Sequence, residues 1–332
     1  MTDPSIVLDL IDAFRRSKCM FTAVSMGLFD YTPAPLSELT KRTRADQDAL
    51  ERLLDGCVSL GLMTRSGDLF TNTEPADAYL RRDSPTTMTG YILYSDRVLY
   101  YLWGNLEHAV KEGTHRWKQT FDLDGALFSH FFRTPEAKYE FLLGMHGFGL
   151  LGSPRVVRAF NLGGFRRLVD LGGATGHLPN AALERYPRLE AAVFDLPPVI
   201  ETARSFADPR VVLIPGDFFT DPLPPADLYV LGRILHDWSE PKIRTLLRKV
   251  YEALPPGGGL LVIERLLDAD RSGPASGLMQ SLNMLCCTEG KERTLAEYEA
   301  LLREAGFASV EGRVTGAPID AILARKAGTH ND

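Results

Sequence analysis

The chain has 332 residues, 45% of them hydrophobic and 24% charged, with a formal net charge of −6 at neutral pH. At about 100–200 residues per domain, that length predicts two folded units with real cores, and the ordinary composition excludes wholesale disorder, collagen and coiled coil. No run approaches the ~18 uninterrupted apolar residues of a membrane helix. Asp3, Asp9 and Asp12 break up any positive-then-apolar leader. The acidic balance argues against nucleic-acid binding through a basic surface. Cys19, Cys57, Cys286 and Cys287 include no C-x-x-C, so they read as reduced thiols of an intracellular, cytoplasmic protein.

Ile6, Val7, Leu10, Ile11 and Phe14 fall on one face of a helix. A second stripe, Leu50, Leu53, Leu54, Cys57 and Leu60, follows Asp46 as N-cap and stops at Gly61. Residues 62–64 and 69–71, joined by Ser66-Gly67-Asp68, predict a short hairpin. Helix, helix, hairpin is the winged-helix pattern, here with eight basic and twelve acidic residues in positions 1–80. Asp46, Asp48, Glu51 and Asp55 on the helix that would enter a groove repel phosphate. A structural or dimerising role over 1–85 is the expectation.

Residues 86–160 read as further helices, forming a linker and substrate-pocket region. The stretch 91–103 is apolar nearly all round, as a helix buried on both sides would be, inside a core or between subunits. From 161 to 328 the texture alternates. Strand-like runs at 167–171, 191–194, 211–214, 227–231 and 259–263, with helical stretches between most of them, predict a doubly wound, mostly parallel sheet. The runs 309–315 and 319–324 are too close for a helical crossover and predict an antiparallel edge hairpin.

The first of these strands ends in Asp170-Leu171-Gly172-Gly173-Ala174-Thr175-Gly176-His177. Glycines let such a turn approach a ligand, and the helix after it favours negative charge. The dinucleotide pattern G-x-G-x-x-G does not fit. The spacing Gly172, Ala174, Gly176 resembles the nucleoside-binding loop of class I methyltransferases. Asp195 ends the second strand, where a carboxylate can accept both ribose hydroxyls, or can cap the helix at Pro197-Pro198. Gly216-Asp217-Phe218 ends the third, suited to an adenine edge (Asp217) and face (Phe218), or to a plain turn.

The fourth strand runs into Gly232-Arg233-Ile234-Leu235-His236-Asp237-Trp238. A histidine near its ordinary pKa of ~6.5 accepts a proton at neutral pH, and a nearby carboxylate orients it and stabilises the imidazolium. Glu264, ending the fifth strand, and Glu292 are the candidates for that carboxylate. Met145, His146 and Phe148, just before the sheet, are candidates both for a wall of the acceptor pocket and for core. No histidine spacing implies a metal.

Residues 232–238, 254–264 (LPPGGGLLVIE) and 290–293 together resemble the small-molecule O-methyltransferases of the plant caffeate and acetylserotonin type. The segments 278–293 (LMQSLNMLCCTEGKER) and 229–238 (YVLGRILHDW) are most similar to the acetylserotonin group. The resemblance spans nearly the whole chain. It implies a Rossmann-like methyltransferase sheet preceded by a helical, winged dimerisation domain, a homodimer, and no nucleic-acid or membrane partner. It implies S-adenosylmethionine as methyl donor and S-adenosylhomocysteine as product, with Gly172, Asp195, Gly216, Asp217, Phe218 and Arg233 holding the cofactor. It implies His236 as general base, Asp237 as its support, Glu264 or Glu292 as the orienting acid, and Asn283 and Cys287 in the acceptor pocket. Ala174 replaces a more usual glycine, and Cys287 replaces a polar amide, which speaks against an indole-amide acceptor. Nitrogen methylation on the same fold, and a cofactor-binding relative without transfer activity, are the alternatives.

Overall fold

The computed structural model describes residues 2–125 and 127–328. The chain divides into two compact units, one ending at Val98 and the other beginning at Leu99.

In the first unit, helix Ser5–Ser25 is followed by helices Leu36–Thr43 and Gln47–Ser59 and a small sheet. Its strands are β1 (Ala34–Pro35), β2 (Met63–Ser66) and β3 (Leu69–Asn72), in the order β1-β3-β2 and antiparallel throughout. The Asp46 side chain accepts the Ala49 N–H at 2.9 Å, so the expected N-cap is formed. Leu50, Leu54 and Cys57 go into the core with Leu28, Phe29, Leu39 and Phe70. The acids of that helix are locally neutralised: Arg65 bonds Glu51 and Asp55, and Arg52 pairs with Asp48. The stripe on the first helix behaves differently. Ile6, Val7, Leu10, Ile11 and Phe14 are 52–71% exposed, a row of large apolar side chains that nothing in the unit covers.

The apolar stretch after residue 88 forms helix Thr89–Tyr94, a π-helical turn Ser95–Leu99 and helix Tyr100–Trp103. Within the single chain Ile92, Tyr94, Val98, Leu99 and Leu102 are buried, whereas Tyr100 and Tyr101 are exposed. A tyrosine tolerates that position because its hydroxyl keeps its water.

The second unit is built on a seven-stranded sheet. Its strands are β4 (Arg167–Leu171), β5 (Glu190–Asp195), β6 (Val211–Pro215), β7 (Leu228–Gly232), β8 (Gly259–Glu264), β11 (Ser309–Arg313) and β12 (Asp320–Arg325). The order is β11-β12-β8-β7-β4-β5-β6. β4 to β8 are mutually parallel, and β12 lies antiparallel to both β8 and β11, which is the expected edge hairpin. Leu168, Val193, Leu228, Val230 and Leu261 are fully buried, as strands covered on both faces require. The order runs outward from β4 in one direction and from β7 in the other. A crevice therefore opens at their carboxyl ends, the place where such sheets bind ligands. No helix among the described residues is long and apolar enough to cross a membrane.

Candidate active site

All five parallel strands deliver their carboxyl ends to one side of the sheet. After β4, Gly172 turns with φ +74°, and a Cβ there would lie 2.6 Å from Ile234, so only glycine fits both the conformation and the space. Ala174 is also left-handed, at φ +49°. An alanine there carries strain of about 1–2 kcal/mol that glycine would not. Its N–H donates to Asp195 Oδ2 at 2.9 Å, while Leu196 N–H donates to Asp195 Oδ1 at 2.7 Å. Burial, partly offset by these two bonds, raises the Asp195 carboxyl to about 6. Both oxygens keep further lone pairs for a ligand. After β6, the Asp217 side chain closes a turn by accepting the Phe219 N–H at 2.8 Å, and the Phe218 ring packs at a tilt against Phe219.

After β7, Arg233 adopts φ +57° and its N–H donates to the Ile263 carbonyl. Its guanidinium lies over the Phe148 ring, 5.0 Å from the centre, and makes no hydrogen bond or ion pair among the described residues. Phe148 and His146 sit on the helix Pro135–Ala159, and Met145 beside them is half-buried. His146 does not simply line a wall. Its Nδ1 lies 2.8 Å from the Thr175 hydroxyl in the glycine turn. A matching pair, Ser153 Oγ and His177 Nδ1 at 2.8 Å, ties the same long helix to the helix His177–Arg185. Burial, with His146 and Arg233 adding, drives His177 down to about 3, so it is neutral.

His236 lies in a short 3₁₀ turn, Leu235–Asp237, and is 4% exposed. Its Nδ1 is 2.7 Å from Glu292 Oε1 and 3.3 Å from Glu264 Oε2, and its Nε2 is 3.7 Å from Asp237 Oδ1. The two glutamates have different tasks. Glu264 Oε1 accepts the backbone N–H groups of Ile234, Leu235 and His236 at 2.8–3.3 Å, which fixes the turn. Glu292 receives the imidazole itself. It arrives there through a two-residue parallel bridge, β9 (Leu266–Leu267) with β10 (Arg293–Thr294), that brings the residue before β10 alongside the end of β8. Since an ionised carboxylate only accepts, Nδ1–H donates to Glu292, and in the neutral form of the ring Nε2 is the nitrogen that holds the lone pair.

The expectation of a near-ordinary histidine is corrected. Burial alone would lower it, but Glu264, Glu292 and Asp237 outweigh burial and raise His236 to about 10. Burial also raises Glu264 to about 7 and Asp237 to about 6, in both cases against the pull of His236. One ligand-capable atom each from His236, Glu264 and Glu292 falls within 4.8 Å of the others. The 2.7 Å Nδ1–Oε1 separation is that of a hydrogen bond.

On the helix Ala275–Cys287, Asn283 and Cys287 are buried one turn apart. The strand ends thus bring Gly172, Asp195, Asp217, Phe218, Arg233, His236, Asp237, Glu264 and Glu292 to one side of the sheet, and Gly216, after β6, is packed under Phe194. Other residues went unforeseen. Asp170 is buried beneath Gly173, and burial with the Asp195 charge pushes its carboxyl to about 8; an acid directly before a glycine turn was the available signal. Thr175, Ser153, Trp103 and Trp117 left no signal, because their partners lie far away in sequence.

The sequence matches the O-methyltransferase domain family over residues 103–308 and the O-methyltransferase dimerisation domain over residues 8–82. It is 40% identical to acetylserotonin O-methyltransferase of Gallus gallus, covering 97% of both chains. It is also 40% identical to a probable bifunctional dTTP/UTP pyrophosphatase/methyltransferase protein of Homo sapiens, where 97% of this chain spans 54% of that protein. The crystal structure of human N-acetylserotonin methyltransferase in complex with SAM superposes with a TM-score of 0.94 at 39% identity, covering 97% of each chain.

Proposed function

The chain belongs to the O-methyltransferase family, and from that premise we propose that it transfers a methyl group from S-adenosylmethionine to a hydroxyl of a small aromatic or enolic molecule, with His236 as general base. The observation that carries this reading is the buried imidazole held through Nδ1 at 2.7 Å from Glu292, which leaves Nε2 as the nitrogen that can take up a proton once the ring is neutral. When bound, S-adenosylmethionine supplies a methyl on a positively charged sulfur. The residues fit that group. Gly172 leaves the turn open to close approach, Asp195 retains lone pairs for ribose, Asp217 and Phe218 end β6 beside it with Gly216, and Arg233 brings an uncommitted guanidinium. His146, Phe148 and Met145 back this side from the long helix.

A phenolic hydroxyl has a pKa of ~10 and is a poor nucleophile while neutral. His236 Nε2 takes its proton as the oxygen attacks, and Glu292 holds the resulting imidazolium. Glu264 keeps the turn in place, and Asp237 adds negative charge beside Nε2. Asn283 and Cys287, buried one turn apart on the helix Ala275–Cys287, are assigned to the acceptor side by the family resemblance. The same carboxylates that favour the imidazolium also keep His236 protonated in the resting cluster, so the competent neutral form grows as pH rises toward about 10.

A homodimer belongs to this reading. The exposed row Ile6, Val7, Leu10, Ile11 and Phe14 is the kind of apolar patch that a second copy covers, and the dimerisation domain match begins at residue 8. The free thiols fit a cytoplasmic protein. The test is transfer of a labelled methyl group to a panel of phenols, hydroxyquinones and amines, with the products identified. Methyl ethers are the expected products; methylated amines alone would overturn the reading.

A further inference from the structure

The turn after β6 is short of hydrogen-bond donors. Residues 221–225 read Asp-Pro-Leu-Pro-Pro, and a proline has no N–H. The N–H groups that the turn does have are used inside it. Phe219 donates to the Asp217 carboxylate, Asp217 to the Asp221 carboxylate, and Thr220 and Asp221 to the Asp217 carbonyl. The carbonyls of Phe218, Phe219 and Asp221 meet no backbone donor among the described residues. Lys249, on the helix Glu240–Ala253, serves all three. Its Nζ lies 2.8 Å from the Phe218 oxygen, 3.2 Å from that of Phe219 and 2.6 Å from that of Asp221. An ammonium has three N–H donors, so the whole group is committed to this turn.

The turn carries two rings that face two different neighbours. A Cβ on Gly172 would lie 3.4 Å from Phe218 Cε1, so the Phe218 ring stands against the glycine turn after β4. Phe219 meets Trp238 edge to face, with ring centres 5.0 Å apart, two residues beyond His236. One cation therefore holds the backbone that sets both rings. Lys249 and the turn are only half-buried, so water takes over the carbonyls when the side chain is cut back and the chain still folds. What is lost is the single orientation of the turn.

We propose that Lys249 is a positioning residue for the cofactor: its ammonium fixes the turn after β6, so that Phe218 already stands where the adenine face of S-adenosylmethionine packs. The proposal rests on the reading of the turns after β4 and β6 as the nucleoside site, and it adds a residue from outside those turns. A turn held in its binding conformation binds more tightly because the cost of ordering it no longer falls on the binding step.

The test is calorimetric titration with S-adenosylhomocysteine of the wild type, Lys249→Met, Lys249→Arg, Phe218→Ala and the double variant of Lys249→Met with Phe218→Ala. Lys249→Met keeps the apolar stem but removes the charge and the donors, and its affinity should fall by about tenfold. Lys249→Arg still brings several donors and should recover most of that loss. Because Lys249 acts through Phe218, the double variant should bind no more weakly than Phe218→Ala alone. A lysine with a merely structural role would give losses that add. Additive losses, unchanged affinity in Lys249→Met, or an arginine variant as weak as the methionine one would each overturn the proposal. If Phe218→Ala itself binds like the wild type, the nucleoside-site reading falls, and the proposal falls with it.

Discussion

Replacing Glu292 with Gln leaves an oxygen for the His236 Nδ1–H but removes a full negative charge 2.7 Å away. The sign of the effect follows from what holds His236 high. Glu264, Glu292 and Asp237 together raise it to about 10 against burial, so losing one of them lowers it. The rising limb of the pH–rate profile should move to lower pH in Glu292→Gln. The plateau rate should fall by about tenfold or more, because the imidazolium formed in the transition state loses its counter-charge. A limb that stays in place would show that another group is titrating, and steady-state kcat between pH 6 and 10 decides it. At this scale much was legible. Asp195 and Glu264 each end a strand and His236 lies in the turn that follows one, and position on a parallel sheet converts that into proximity. Not legible were the contacts that orient side chains across the fold. Trp103 to Asn283 and Trp117 to Cys287 span 180 and 170 residues, and no local pattern encodes so distant a bond. The pKa of His236 escaped for the same reason, since it depends on three carboxylates from three segments.

Among the elements, the segment between the helix Ala275–Cys287 and β10 does more than connect. Gly290 lies so close to the catalytic turn that a Cβ would sit 2.2 Å from the His236 carbonyl oxygen and 2.9 Å from the Trp238 nitrogen. These are backbone atoms and cannot rotate aside. Gly290→Ala must therefore push the two segments apart, and a displacement of about 1 Å at a reacting group costs on the order of 10²-fold in rate. Its kcat should fall by that much, while cofactor affinity should fall less, because the turns after β4, β5 and β6 stay in place and only Arg233 of the proposed cofactor residues lies beside the displaced segment. A near-normal kcat would contradict the packing account. The Thr-Glu-Gly-Lys-Glu-Arg run (288–293) stood out in the sequence as a motif and a resemblance, yet its physical reason did not. A two-residue bridge such as β9–β10 has no periodicity to read, and the close approach of Gly290 appears only when His236 is in place.

For the whole molecule, the alternation of strands and helices from 161 onward carried the sheet class, its parallel body and its antiparallel edge. The fate of the first helix was beyond it. Periodicity shows that Ile6, Val7, Leu10, Ile11 and Phe14 share a face, but it does not say whether that face meets the unit's own core or another chain. In the structure the core of the first unit closes without them. Substituting Leu10→Glu together with Phe14→Lys should convert a dimer in sedimentation into a monomer that still folds, and a wild type that sediments as a monomer would contradict the assignment of this face. The central claim about the molecule is narrower: a histidine clamped by two buried glutamates removes the proton from a hydroxyl as a methyl group arrives. It is tested most directly by single-turnover methyl transfer to a phenol or hydroxyquinone acceptor in wild type and His236→Ala, both saturated with cofactor. The account predicts a methyl ether and a rate lower by about 10²-fold or more in the variant, with cofactor affinity retained; transfer at an undiminished rate would contradict it.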